Sequence, residues 1–420
     1  MRSRVEPRPD VILLRGIYLP RSMDAAAFAM TTYGIPLLVL ATTHSAALAG
    51  LAFALEWVPR LGAFAVAGAM VDRHGTTCVL RIASTLRAVV VVAAALALPH
   101  LPDGLATTGT VMLLAASTGV LTEFSYIAAE TAGGVASRQA GDQAHRVQSV
   151  LLGIDQVATL AGPAAAGLLL ERAGAGGMLV TIALFSLLAC VSAPRPPAAA
   201  QAERKPEPVL AGLRVGWTTL RALPALGWLV FGLALSNLTI GLLQAAAPAI
   251  VITEFGHSSA DVGLIWSVAA GASLITVALC RRAIDHFGLW PVGALSAAIA
   301  ALGCLAVSLT HSYTAYLVLI AVLMAGEGGM TVVLRTLRSH LIPQQVFGAT
   351  LSLTILLLLL PFPLAGVLVA TVPLAQLGHV ITVCAVLQAL GLAVTFTRLR
   401  SMPGLCPQPG HARSFQTATS

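Results

Sequence analysis

The sequence is poor in charge. Asp, Glu, Lys and Arg make up 10% of its 420 residues, against about 25% in soluble domains. Mean hydropathy is +0.88, and a water-soluble chain is excluded. Lysine is almost missing: Lys205 stands against 23 arginines, which suggests a GC-rich bacterial genome. The six cysteines form no CxxC pair and most fall in apolar stretches, so neither a disulfide framework nor a zinc site is expected. The ten histidines form no ligand cluster. The phosphate-binding pattern GxxxxGK[ST] is absent, which argues against ATP as an energy source. No HExxH pair and no nucleophile–base set lies within an apolar stretch, so an intramembrane enzyme is not expected. No metal or other cofactor is implied.

Apolar stretches are what the chain does have. They recur at about 20 residues, the length that crosses a hydrocarbon core. Twelve spans are read at 16–40, 46–71, 79–99, 104–131, 147–170, 175–193, 225–252, 260–283, 289–310, 313–335, 347–371 and 374–397. The basic N-terminus resembles a signal peptide. The apolar run behind it carries Arg15, Arg21 and Asp24 and is too long and too charged for one, so an uncleaved first span is expected.

Lys and Arg sort sharply among the loops. Twenty fall on one side and one, Arg172, on the other; Arg21, Arg60 and Arg87 lie within spans. The positive-inside rule then predicts both termini and the central linker in the cytoplasm. The net charge of +7 reflects this topology, and no nucleic-acid partner is implied.

The expected organisation is a six-helix bundle over 1–193, a cytoplasmic linker over 194–224, a second six-helix bundle over 225–400 and a cytoplasmic tail over 401–420. The first part of the linker, through Arg204, Lys205, Pro206 and Pro208, is polar and Pro-rich. Beyond it, Val209, Leu210, Leu213, Trp217 and Leu220 recur at helical spacing, which suggests a short helix on the membrane surface. A linker without structure throughout is the alternative.

A short motif recurs once per half. Gly68, Asp72, Arg73 and Gly75 lie between spans 2 and 3, and Asp285 and Gly288 between spans 8 and 9. Repeated halves place a transporter's site at their interface. Six plus six spans, the long linker and this motif together resemble the major facilitator superfamily over nearly the whole chain. The first copy departs at Thr76 and Thr77, where the family usually has two basic residues, and Arg281 replaces the glycine in the second. The resemblance implies an all-α membrane fold of two pseudo-symmetric bundles, in which the motif is a cytoplasmic latch holding the outward-facing state. Span 5 carries Gly162, Pro163 and Gly167, similar to the Gly-Pro motif of the superfamily's exporters; ordinary small-residue packing is the alternative. The start of the chain, Tyr18 to Pro59, together with the Gly-Pro span, is diffusely similar to the efflux branch containing the enterobactin exporter. Span 4 lacks the arginine common in proton–drug antiporters and has Glu123 and Glu130 instead.

Ionisable groups inside spans are costly and are functional candidates by default. Arg21 and Asp24, three apart, can pair. Glu56 and Arg60, at i and i+4, read as a structural pair. Asp155 has no base nearby in sequence. Glu327 lies between glycines, as on a cavity wall. In the superfamily, spans 1, 4, 7 and 10 line the central cavity, which favours Asp24, Glu123, Asn237, Gln244 and Glu327 as the substrate and proton pathway. Asp24 and Glu327 are the foremost candidates for proton coupling.

The expected function is export of a small organic molecule, a siderophore or drug-like amphiphile, across the bacterial cytoplasmic membrane by proton antiport and alternating access. Proton-coupled import and lipid flipping are the alternatives. The expected partners are the small-molecule substrate, protons and membrane lipid, with the protein a monomer.

Overall fold

The computed structural model describes residues 13–102, 104–140, 144–194, 209–343 and 346–401. The polar part of the linker and the C-terminal tail lie outside them. The described residues form helices throughout, as they must where no water is present to bond an exposed peptide group. A π-helical turn at Leu14–Tyr18 leads into α1 (Leu19–Thr43). There follow α2 (Ala46–His74), α3 (Thr76–Ala97), α4 (Leu105–Gln139) and α5 (Ala144–Ser192). The second half holds α7 (Pro224–Ala249), α8 (Ser259–Phe287), α9 (Leu289–Ser308) and α10 (Tyr313–Leu341), then α11 (Phe347–Leu359), α12 (Pro361–Thr371) and α13 (Leu374–Arg400).

Two elements differ in form from the twelve spans. α5 holds two of them, joined at Gly174, whose φ of 69° and ψ of −174° break the helix. The eleventh span is two helices that meet at Pro361, which has no N–H to continue the ladder. The linker's second part is helical, α6 (Val209–Ala222). Arg221 lies over the Trp217 ring at 5.0 Å, and Gly216 fits against Ala349 and Leu353 of α11.

Large apolar side chains turn outward from many helices, among them Leu96, Leu113, Val180, Leu302 and Leu390. Inside water this would be a liability; against lipid it is the expected exterior. The shared core holds Met30, Leu38, Phe53, Leu114, Ile182 and Leu242, all fully buried.

The two motif copies fold into the same turn. Gly75 ends α2 with φ 83° and ψ 151°, and Gly288 ends α8 with φ 85° and ψ 164°. A side chain rarely adopts such angles, so glycine is needed at both. Each follows an aspartate by three residues. These turns define one end of the bundle, the motif end. The opposite end, where α1 passes into α2, is the far end.

The halves meet mainly in the far-end part of the bundle. Glycines allow the contacts. A Cβ on Gly366 of α12 would collide with Ala54 and Gly50 of α2, and one on Gly50 with Val369 and Ala370. The related seam joins α5 to α8: Gly167 lies on the Ser259 carbonyl, Gly263 on that of Pro163, and the Ala164 amide donates to Ser267 Oγ at 3.1 Å. Gly162 packs on Ala29 of α1. At the motif end, Asp72, Arg73 and Asp285 are exposed, and no ion pair joins Asp72 or Asp285 to another described residue. No described residue beyond its own stretch of helix lies within 4 Å of a Cβ placed on Gly68. The conformation is closed at the far end, with the motif turns disengaged.

Candidate functional site

Charged side chains inside the first half sort into three arginine-centred groups. Arg21 on α1 donates through Nε and Nη2 to Asp155 of α5 at 2.8 and 2.6 Å, and through Nη2 to Glu130 of α4 at 2.8 Å. Glu130 is exposed and Asp155 half-buried, so this group lies at the motif-end mouth. Deeper, Arg87 of α3 is fully buried and donates to Asp24 Oδ1 at 2.7 Å. The hydroxyls of Ser186 and Ser125 accept from its Nε and Nη1 at 2.9 and 3.0 Å. Next to the seal, Arg60 of α2 donates to Glu123 of α4 at 2.6 Å.

The partners differ from those the sequence suggested. Asp24 pairs with Arg87 and not with Arg21, its neighbour by one turn. Arg60 pairs with Glu123 and not with Glu56. Asp155 does have a base, Arg21, 134 residues away in sequence. The reason is geometric. In this conformation each arginine reaches a carboxylate on a facing helix instead; Arg87 also fills Nε and Nη1 with Ser186 and Ser125, whereas Arg21 and Arg60 each leave Nη1 without a partner among the described residues.

Aromatic rings connect these groups. Phe28 and Tyr126 lie 5.5 Å apart. Arg21 sits 5.3 Å from the Tyr126 centroid, and Arg60 sits 4.7 Å from Phe28 and 4.4 Å from Trp57. Trp57 stacks on Phe362 of the second half at 4.4 Å. A second cross-half ring pair joins Tyr33 to Trp266 at 5.8 Å. Cation and rings attract through the ring quadrupole, so the Arg60–Glu123 pair is tied directly to the closed seal.

Glu327 has a different setting. Its flanking glycines do not open a cavity. A Cβ on Gly326 would strike Ser296 and Ala300 of α9, and one on Gly328 would strike Ser273 of α8. The glycines instead let α10 approach both neighbours closely. The carboxylate turns toward α7 and α13, where Ser236 Oγ donates to it and Gln388 Nε2 donates at 3.2 Å. Gln388 also donates to Ser236 at 2.6 Å. Glu327 is 5% exposed, and no described cation pairs with it.

Of the remaining cavity candidates, Asn237 ties α7 to α11 by donating to the Leu358 carbonyl at 2.7 Å. Gln244 faces the seam between halves, beside a void of about 10 Å³ lined also by Tyr33, Pro36 and Trp266. A larger apolar groove of about 530 Å³ runs between α1 and the first arm of α5, with Met30, Gly162 and Phe185 among its walls.

Sequence reasoning missed Arg87, Ser186, Ser236 and Gln388. Only Arg87 left a signal, as an arginine inside a span. Serine and glutamine are ordinary in membrane helices and mark nothing without their neighbours.

Comparison with known proteins agrees with this architecture. The family model described as Major Facilitator Superfamily matches residues 21–366. No curated protein matches by sequence. A crystal structure of a bacterial homologue of the lysosomal transporter Spinster, inward-facing and unoccupied, superimposes with TM-score 0.69 at 13% identity, covering 96% of this chain and all of the other. A bacterial homologue of the iron transporter ferroportin, also inward-facing, gives 0.68 at 17% identity over 94% and 100%. A D-xylose–proton symporter gives 0.66 at 17% over 89% and 96%. At such identity the likeness concerns the fold. With a family match over most of its length, and a bundle of apolar helices in two related halves, this chain belongs to the major facilitator superfamily and is a multi-pass membrane transporter.

Proposed function

We propose that the protein exports a small organic amphiphile across the bacterial cytoplasmic membrane in exchange for protons. The observation that carries the coupling is Glu327: a carboxylate buried at span depth whose partners, Ser236 and Gln388, are neutral. An ion there without a counter-charge is expensive, whereas the acid form is not. A group of this kind gains and loses its proton as its access to water changes, which is what coupling requires. Asp24 is a weaker candidate than the sequence suggested, because Arg87 already neutralises it.

Alternating access accounts for the rest. The far end is closed through α2–α12 and α5–α8, and the positive-inside bias puts the open motif end in the cytoplasm. The closed-state partner of the latch formed by Gly68, Asp72, Arg73, Gly75, Asp285 and Gly288 then belongs to the opposite, outward-facing conformation. The apolar groove beside Met30 and Phe185, which meets α1 one residue from charged Arg21, suits a cargo with an apolar body and a polar head. A siderophore of the kind handled by the enterobactin-exporter branch meets that description. The same groove suits a lipid, so flipping is the second reading.

The test is deletion of the gene and comparison of small molecules in cells and medium under iron-replete and iron-limited growth. Complementation uses wild type and Glu327→Gln. Loss of a chelator from the medium, restored by wild type and not by Glu327→Gln at equal expression, supports proton-driven export. Unchanged secretion overturns siderophore export, and a change confined to membrane lipid supports flipping.

A further inference from the structure

Glu56 is the buried carboxylate that the pairs above leave out. It is 1% exposed, and neither of its oxygens forms a well-aligned hydrogen bond with a described residue. Unmade bonds gather around it. Thr32 Oγ1 of α1 lies beside the carboxyl without forming a well-aligned hydrogen bond, and Trp57 Nε1 and Arg60 Nη1 have no partner among the described residues. Buried polar groups are nearly always satisfied, so this many idle atoms in one place point to bonds made in another conformation.

The geometry names the bond. Arg60 follows Glu56 by four residues, on the same face of α2. Its Nε serves Glu123 of α4 while Nη1 has no partner among the described residues. One guanidinium therefore stands within reach of two carboxylates and neutralises one. Of the helices packed against α2, α7 and α12 carry no titratable side chain. On the others, Arg87 of α3 and Asp24 of α1 are committed to each other, and Arg21 of α1 is committed to Asp155 and Glu130. Tyr33 of α1 and Tyr126 of α4 pack on Trp266 and Phe28 respectively.

We propose that Glu56 and Glu123 compete for Arg60, and that exchange of this partner switches the transporter between its two conformations. In the conformation described, Arg60 pairs with Glu123 and Glu56 is the neutral acid. In the other, Glu56 has released its proton and holds Arg60, and Glu123, deprived of its counter-ion, has taken up a proton. Each state holds one cation, one anion and one acid, so neither leaves an uncompensated charge. The exchange reaches the seal because Trp57 is next to Glu56. Arg60 lies 4.4 Å over the Trp57 ring, which stacks on Phe362 of the other half. Moving the guanidinium toward Glu56 removes it from that stack and from Phe28.

This inference rests on the two-state, proton-coupled reading and specifies residues that reading does not use. It is tested without a substrate. Spin labels on Gln139→Cys and Arg335→Cys, exposed positions near the motif ends of α4 and α10, report separation of the halves in lipid nanodiscs. Wild type is expected to show a long and a short distance. Glu56→Gln fixes the neutral form and leaves only the long one. Glu123→Gln frees Arg60 and raises the short-distance share at least threefold. Glu56→Asp keeps both populations. Unchanged distributions in the two Gln variants, or shifts in the same direction, overturn the proposal, since a packing defect has no reason to act with opposite signs. If Glu56→Gln fails to fold, Glu123→Gln decides alone: a short-distance share equal to wild type overturns it. A single distance in wild type and every variant overturns the two-state reading itself.

Discussion

Asp24 pairs with Arg87 across 63 residues of sequence, with the arginine wholly buried and its remaining N–H groups directed at Ser125 and Ser186. The pair joins α1 to α3, and the two serines extend it to α4 and to the second arm of α5. A fixed charge in this position braces the first half as a rigid body, which is what rocking against the second half needs.

Breaking that brace by removing one partner leaves the other charge alone in the bilayer. Arg87→Met or Asp24→Asn is expected to destabilise the fold by about 3–5 kcal/mol. Removing both is expected to cost less than either alone. Thermal unfolding of the purified variants measures both, and additive losses contradict the pairing.

The far-end seam depends on glycines. Gly167→Leu at α5–α8, or Gly366→Leu at α2–α12, places side-chain atoms where Ser259 and Ala54 backbone now lies. Each is expected to favour the conformation open at the far end. A cysteine at Ala370 should then react faster with an impermeant maleimide, and unchanged reactivity counts against the seam.

The motif turns are idle in this conformation, so Asp72→Asn should leave its stability within about 0.5 kcal/mol of wild type, as for other exposed positions. It should still slow transport, because the engaged latch belongs to the other state. Unfolding temperature and transport rate, measured on the same preparation, separate the two effects. Normal transport removes Asp72 from the cycle.

Much of the fold was legible. Long apolar runs gave the spans, and the arginine asymmetry gave a consistent threading of them. Gly75 and Gly288 proved to be one turn used twice, because aspartate three residues before a glycine at a helix end is a local pattern. The charge partners were not legible. Asp24 and Arg21 are neighbours in sequence, yet their partners come from α3, α4 and α5, and no spacing along one helix encodes a neighbour on another. Glu327 misled for a related reason. Flanking glycines signal close approach of something, and only packing shows that it is α8 and α9 rather than open space. The break at Pro361 was hidden because apolar residues continue on both sides of it.

The most direct test of proton-coupled export uses inside-out membrane vesicles energised by respiration, with the pH gradient followed by quenching of a weak-base dye. The probe is the iron chelator purified from the organism's own culture medium. Vesicles with wild-type protein should lose part of the gradient when the chelator is added, and vesicles with Glu327→Gln, at equal protein level, should hold it. A gradient that responds equally in both, or that responds in neither while the chelator still accumulates inside the wild-type vesicles, contradicts proton exchange through Glu327.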